Sequence, residues 1–217
     1  MFITLLIPAL NEGKSIGETI RQIPRNVVDE ILVVDGHSND NTVVVAESLG
    51  CRVVTQPAKG FGNALRYGFQ QASGDLIVVM DADGSPDPQD ISRLLNKMTE
   101  GYDLVLGSRY LNGSKTKDDT MIRFIGNKLF TFLTNLLHGT SMTDCLYFFA
   151  VAKKDLFNAF EYKSNDFAFC LEVPVRIHKA GKKIGEVSCQ ERARFADESR
   201  VNALTDGFKI FCQMISW

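Results

Sequence analysis

Residues 76–86 read Leu76-Ile77-Val78-Val79-Met80-Asp81-Ala82-Asp83-Gly84-Ser85-Pro86. An apolar run, rich in β-branched residues, stops at two aspartates spaced i, i+2 and then at a Gly-Ser-Pro turn. Such a run, bounded by turn formers, reads as a strand buried on both faces. Two carboxylates just past its end repel each other unless something cationic sits beside or between them. An all-oxygen pair suits Mg²⁺ or Mn²⁺, which keep waters and bind through one or two carboxylates plus substrate phosphates. An isolated Asp-x-Asp is more simply an acidic turn before a helix, here one starting near Pro88. Its place after the fourth strand of a repeating pattern favours the cation.

That pattern extends in both directions. Strands are expected at Phe2 to Ile7, Glu30 to Val34, Arg52 to Thr55, Leu76 to Met80 and Asp103 to Leu106, all short and β-branched. Between them Ser15 to Ile23, Asn41 to Leu49, Asn63 to Ala72 and Pro88 to Thr99 carry helical periodicity, with Gly74 and Gly101 as stops. Strands alternating with helices predict an α/β fold with a mostly parallel sheet flanked by helices. After Tyr110 the character changes. A polar loop, Leu111 to Asp119, precedes a long apolar-faced helix, a short strand and a closing helical segment. The expectation is one domain over 1–217, with residues 1–110 as one half and 111–217 as a second, acceptor-side half.

Composition narrows the function classes. With 24 Lys plus Arg against 26 Asp plus Glu, the net charge of -2 supplies no global field for nucleic acid. Anion binding must therefore be local. Five scattered cysteines without a Cys-x-x-Cys pair argue against a disulfide framework or a zinc site and fit a reducing compartment. The N-terminal Met1 to Pro8 reads as a buried first strand rather than a leader. No stretch approaches the ~20 apolar residues that span a bilayer. His37, His138 and His178 lie far apart and form no ligand-spaced set.

Ligands of open α/β sheets bind outside the carboxyl ends of the strands. Three further turns fall there: Pro8-Ala9-Leu10-Asn11-Glu12, then Asp35-Gly36-His37-Ser38-Asn39-Asp40-Asn41-Thr42, then Gly107-Ser108-Arg109-Tyr110. Taken singly, Asn11 and Asp40 read equally well as helix caps. Arg109 places a guanidinium where phosphates of a metal-bound nucleotide would lie, or else pairs with an acidic loop.

Together, Pro-Ala-Leu-Asn-Glu, Val-Val-Asp-Gly-x-Ser-x-Asp-x-Thr, Asp-Ala-Asp-Gly-Ser and Gly-Ser-Arg-Tyr resemble, in order and spacing, the family 2 glycosyltransferases of the GT-A fold. The resemblance covers nearly the whole chain. Thr143-Asp144 before Tyr147 to Ala150, then Phe167 to Glu172, then Arg192 to Asn202 narrow it to the polyprenyl-phosphate (dolichyl-type) sugar synthases. It implies a Rossmann-like GT-A sheet and transfer of a hexose from a nucleotide diphosphate sugar, of the GDP-mannose or UDP-glucose type, to a polyprenyl phosphate. By position it puts Pro8, Leu10, Glu12, Val34 and Asp35 at the donor's base and ribose. Asp81, Ala82 and Asp83 fall at ribose, diphosphate and metal, with Ser85 as an outer metal ligand. Arg194 and Arg200 close over the diphosphate, and Arg109, Arg123 and Asn127 meet the acceptor phosphate. Asp83 and Arg194 are the candidate catalytic residues. Gly36, Ser85 and Asp197 depart from the family pattern, where a second Asp, a Gln and a Gly are common.

The chemistry follows from charge. A nucleotide diphosphate leaves the anomeric carbon as an anion that a divalent ion and Arg194 or Arg200 would stabilise. An acceptor phosphate is already an anion and needs alignment more than a general base, whereas a hydroxyl acceptor would need a carboxylate, to be sought among Asp144, Asp166 and Glu172. A single displacement inverts the anomeric centre. The helix from Thr120 to His138 sets Met121, Ile122, Ile125, Leu129, Phe132, Leu133, Leu136 and Leu137 on a wide apolar face. Arg123, Asn127, Thr131 and Thr134 lie opposite. It reads as a core or dimer helix with a solvated back, or as a greasy flank beside an anion site. With the resemblance, the second reading implies a peripheral position at the cytoplasmic face of a membrane. Phe124, Phe130, Phe148, Phe149, Phe167 and Phe169 are expected in the core rather than as a sugar platform. Two rivals are a sugar nucleotidyltransferase, whose Gly-rich, Arg-containing first loop is missing, and a non-catalytic GT-A-like nucleotide-binding module.

Overall fold

The computed structural model describes residues 1–112, 114, 120–196 and 205–217. Strands β1 (Ile3–Ala9), β2 (Glu30–Asp35), β3 (Arg52–Thr55) and β4 (Leu76–Val79) alternate with helices α1 (Ile16–Arg21), α2 (Thr42–Ser48) and α3 (Phe61–Gln71). A 3₁₀ turn, Pro88–Asp90, leads into α4 (Ile91–Met98), followed by β5 (Leu104–Ser108) and the long α5 (Met121–His138). The rest is β6 (Ala150–Lys153), α6 (Lys154–Asn158), α7 (Phe169–Lys179), β7 (Ile184–Ser188) and α8 (Thr205–Met214).

These strands form one sheet in the order β3-β2-β1-β4-β6-β5-β7, in which β6 alone runs antiparallel to its neighbours. The five expected strands and the helices between them are present, and the sheet is mostly parallel. Side chains alternate between two apolar layers, as period-2 strands require. Leu6, Leu32, Val34, Ile77 and Val79 pack with Leu65, Phe69, Phe157 and Phe169 on one face, against α3, α6 and α7. Leu5, Ile7, Val33 and Val78 pack with Ile16, Ile20, Ile91 and Leu94 on the other, against α1 and α4.

Two local readings change. β1 runs on through Pro8 and Ala9, which a proline ordinarily discourages. Its pairing with β4 ends at Leu6↔Val79, so the missing N–H falls where one neighbouring ladder has already stopped. Gly74 is not the stop of α3, whose C-cap is Ala72. A Cβ at Gly74 would lie 2.6 Å from the Thr4 backbone nitrogen, so the glycine serves a close approach of chains.

The inserted strand β6 interleaves the two halves, for it comes from the second half yet lies between β4 and β5. The carboxyl ends of the parallel strands β1, β2, β4 and β5 open on the same edge, with the loops at 10–13, 36–41, 81–86 and 109–112 along it.

Candidate active site

The loops after β1 and β2 are cross-tied. Asn11 N donates to Ser38 Oγ at 2.8 Å, Glu12 N to Thr42 Oγ1 at 2.8 Å, Gly13 N to Asp40 Oδ2 at 2.9 Å and Asn39 N to Asn11 Oδ1 at 2.7 Å. Asn11 is thus a loop tie rather than a cap. Asp40 is not the cap of α2 either, since that position is Asn41, but its Oδ1 accepts from Thr42 N at 3.0 Å just after it. Asp35 is buried and accepts from His37 N and Ser38 N at 3.1 Å each, shaping a turn in which His37 takes φ +69°. Val34 is fully buried in the core, so its side chain is unavailable and only its backbone faces this edge. Pro8 is buried beside it, whereas Leu10 is 41% exposed.

At the end of β4, Asp83 Oδ1 accepts from Ser85 N at 2.9 Å and from Ser85 Oγ at 2.8 Å, while Oδ2 lies 2.6 Å from Arg194 Nη1. Ser85 thus aims the Asp83 carboxylate. Gly84 turns with φ +82°, and a Cβ there would meet the Phe195 ring at 2.2 Å. The segment after β7 straps this turn down through a Pro86↔Glu191 bridge, Arg192 N to Ser85 O at 2.7 Å and Phe195 N to Asp83 O at 3.0 Å. Ala82 is buried and its carbonyl accepts from Thr19 Oγ1 at 3.0 Å.

Asp81 is half-buried and, among the described residues, its carboxylate accepts no hydrogen bond. Its carboxyl is pushed up to about 7, first by enclosure and then by the charge of Asp83. Glu12 and Glu191 add to this and Arg194 opposes it. A turn with surplus negative charge and oxygen-only donors fits a divalent cation. Asp81 and Asp83 would hold it, with Ser85 fixing the orientation of Asp83. Among the described residues no three His, Cys, Asp or Glu side chains gather into a cation cage. Two carboxylates leave coordination positions for water and phosphate oxygens, the arrangement Mg²⁺ favours. Bound there, such an ion would neutralise charge on a leaving diphosphate.

Arg109 is placed differently from the expectation that it meets the acceptor phosphate. Its guanidinium is buried, with Nε donating to Asp144 Oδ2 at 2.7 Å, Nη2 to Asp144 Oδ1 at 3.0 Å and Nη1 to Glu191 Oε1 at 3.2 Å. It also lies 5.0 Å over the Tyr147 ring and 5.3 Å over Tyr110. A forked guanidinium filled by two carboxylates makes a structural clamp. It ties β5 to the strand-to-strap junction after β7. Glu191 escaped the sequence reading, although the carboxyl-end rule applies to β7 as to the other strands.

The acceptor-side stripe on α5 stands next to this clamp. Asn127 Nδ2 donates to Tyr110 Oη at 2.8 Å, and Lys128 Nζ lies 4.4 Å over the Tyr110 ring. Arg123 is half-buried one turn before Asn127. Lys128 was not singled out from the sequence. Arg200, together with Asp197, lies outside the described residues.

The long helix is inverted. Thr131 and Thr134 are buried, and Thr131 Oγ1 contacts Cys145 Sγ at 3.4 Å. Met121, Ile122, Ile125, Leu129, Phe132, Leu136 and Leu137 are exposed. The core-helix reading of the apolar face fails, and so does the core placement of Phe124, which is 41% exposed with its ring edge-on to Tyr110. Phe148, Phe149 and Phe169 are buried as expected, and Phe130 and Phe167 are partly so. Phe208 on α8 and Ile215 just beyond it are exposed as well.

None of the three carboxylates named for a hydroxyl acceptor stands uncommitted. Asp144 is held by Arg109. Asp166 Oδ1 accepts from Ala168 N at 3.0 Å, and Oδ2 from Gln213 Nε2 at 2.9 Å. Glu172 accepts from the amides of Lys163 and Ser164 and from Arg176. Burial pushes the Glu172 carboxyl up, but these donors outweigh it and leave it below the ordinary carboxylate value.

Comparison with known proteins places the chain in a family. Residues 4–160 match glycosyl transferase family 2. An uncharacterized protein of Methanocaldococcus jannaschii is 31% identical, across 98% of this chain and 90% of its own length. The UDP-N-acetylglucosamine–dolichyl-phosphate N-acetylglucosaminyltransferase of Methanococcus voltae is 27% identical, across 98% of this chain and 94% of its own. Among solved structures, glucosyl-3-phosphoglycerate synthase of Mycobacterium tuberculosis, in complex with Mn²⁺, UDP and phosphoglyceric acid, superposes with a TM-score of 0.82. It shares 22% identity, over 99% of this chain and 78% of that one. With a GT-A sheet, a strapped Asp-x-Asp turn at its open edge and a match over most of its length, the chain belongs to glycosyl transferase family 2 and is a glycosyltransferase.

Proposed function

We propose that the enzyme moves a hexose from a nucleotide diphosphate sugar, of the GDP-mannose or UDP-glucose type, to a polyprenyl phosphate at a membrane surface, with inversion. The observation that carries the reading is the inverted α5. It turns its hydroxyls inward and a run of large apolar side chains outward, directly beside Arg123, Asn127 and Lys128. Exposed apolar patches of this extent mark interaction surfaces. A lipid whose chain is apolar and whose head is anionic matches that juxtaposition. Among the described residues no helix is long and apolar enough to cross a membrane, so this reading gives α5 and α8 the task of lying on one.

The donor lies over Leu10 and the Asp35 turn, with its diphosphate toward Asp81, Asp83 and Arg194. Asp81 and Asp83 would hold Mg²⁺ or Mn²⁺, which would supply the countercharge. An acceptor phosphate oxygen attacks the anomeric carbon while the bond to the diphosphate oxygen breaks, its electron pair leaving with the nucleotide. No proton need be removed, which accords with the structural commitments of Asp144, Asp166 and Glu172. Arg194 faces the oxygens on which charge grows, and Arg123 with Asn127 orients the incoming phosphate.

Arg123→Ala is expected to lower acceptor efficiency by about tenfold to a hundredfold, the cost of one charge-assisted contact in a desolvated site, and to leave nucleotide-sugar affinity unchanged. Steady-state kinetics with varied polyprenyl phosphate reads this, and equal loss toward donor and acceptor would count against the assignment. Phe132→Glu with Leu136→Glu removes apolar area from the exposed stripe without touching the core. Cosedimentation with anionic phospholipid vesicles should fall by tenfold or more, by the loss of roughly 1.5–3 kcal/mol per large side chain. Undiminished vesicle binding would refute the docking face.

A further inference from the structure

We infer that Gln56 reads the base of the donor nucleotide, an inference that rests on the nucleotide-sugar reading above. Parallel strands β1, β2 and β3 end side by side, and the residues that follow are Leu10, Gly36 and Gln56. Backbone bonds lock the three ends together, Gly36 N donating to Ala9 O at 2.8 Å and Gln56 N to Asp35 O at 3.0 Å. An added Cβ at Gly36 would lie 3.3 Å from Leu10 Cβ and 3.5 Å from Gln56 Nε2. The glycine thus leaves bare backbone between Leu10 Cβ and Gln56 Nε2.

Gln56 is only 3% exposed, and among the described residues its buried Oε1 has no hydrogen-bond partner. Buried amide oxygens are nearly always paired, and an orphan is costly enough to demand an account. A carboxamide offers an acceptor beside a donor, the complement of a base edge that sets N–H beside a carbonyl or ring nitrogen. Leu10, 41% exposed, gives the ring an apolar surface to lie on. The phosphates would then point along the sheet edge toward Asp81 and Asp83. A base contact made by a buried group left unpaired in its absence is the kind that discriminates strongly among ligands.

Calorimetric titration of UDP, GDP, CDP and ADP with Mn²⁺, and of inorganic pyrophosphate as a base-free control, tests this on the parent, Gln56→Leu and Gln56→Glu. In Gln56→Leu the preferred nucleotide should bind about tenfold weaker and the preference among bases should shrink to within about threefold, while pyrophosphate is unaffected. Gln56→Glu keeps size, and unaltered pyrophosphate binding in both variants guards against a folding artefact. It should shift preference toward GDP, because guanine alone among the four presents two adjacent N–H donors to a carboxylate. Unchanged affinities and order in both variants would overturn the role of Gln56 while leaving the transferase reading intact. A parent that binds pyrophosphate but shows no preference among the four nucleotides would overturn it as well. A parent that binds none of the nucleotides would overturn the nucleotide-sugar reading itself, and this inference with it.

Discussion

Asp83→Asn is expected to lower kcat/KM by about a thousandfold or more, since it weakens the hold on a divalent cation whose neutralisation of a leaving diphosphate is worth several kcal/mol. The substitution should also abolish the rise in Tm that Mn²⁺ with nucleotide gives the parent. The fold should survive, because an asparagine Oδ1 can still accept from Ser85 N and Oγ. One complication lies in the geometry. Asp83 Oδ2 also meets Arg194 at 2.6 Å, and an amide nitrogen there would face the guanidinium donor to donor. Arg194→Ala separates the two effects, for it keeps both aspartates. Mn²⁺-dependent stabilisation should persist in it while turnover falls more than donor affinity, as expected of a group that meets charge growing in the transition state. If Asp83→Asn retained the full Mn²⁺ dependence of the parent, the cation would have to be held elsewhere.

Arg109→Ala should be the most destabilising single change outside the apolar core. It leaves Asp144, fully buried, and Glu191, 5% exposed, without their common cation. Removing one partner of a buried ion pair costs about 3–5 kcal/mol, because the charge left behind is uncompensated. For a chain of this size that corresponds to a Tm lower by roughly 10 °C, read by thermal and urea unfolding. Arg109→Lys should recover only part of the loss, since a point charge cannot match the fork that engages both Asp144 oxygens. Activity should fall in parallel with the folded fraction and with the order of the strap over Gly84. An Arg109→Ala protein of unaltered Tm, impaired only toward the acceptor, would restore the phosphate-binding role expected from the sequence.

These cases show where a sequence stops speaking. The β-branched runs at 30–34 and 76–80 announce parallel strands because both faces of each must be apolar, and the aspartates that end the second announce the open edge. Nothing in Ala150-Val151-Ala152 says that it inserts between β4 and β5, since strand order is decided by long-range pairing rather than local pattern. Periodicity marked α5 as amphipathic but could not choose which face turns inward. The usual rule buries the apolar face. Here Thr131 and Thr134 are buried instead, against Cys145 and Met214, and the rule is inverted. The charge of Arg109 was legible, whereas its partners lie 35 and 82 positions away. Gln56 drew no notice because β3 is short and half-exposed, and only the spatial row of Leu10, Gly36 and Gln56 gives it meaning.

Transfer of sugar to a lipid phosphate, rather than to a hydroxyl, is read by one assay. The purified enzyme, in anionic vesicles with Mn²⁺, is given radiolabelled GDP-mannose or UDP-glucose together with either a polyprenyl phosphate or the corresponding polyprenol. Label should enter the lipid fraction only with the phosphate, in a product whose sugar has the inverted anomeric configuration and is released by mild acid. Labelling of the polyprenol, or of a neutral sugar acceptor, at a rate equal to that of the polyprenyl phosphate would contradict it.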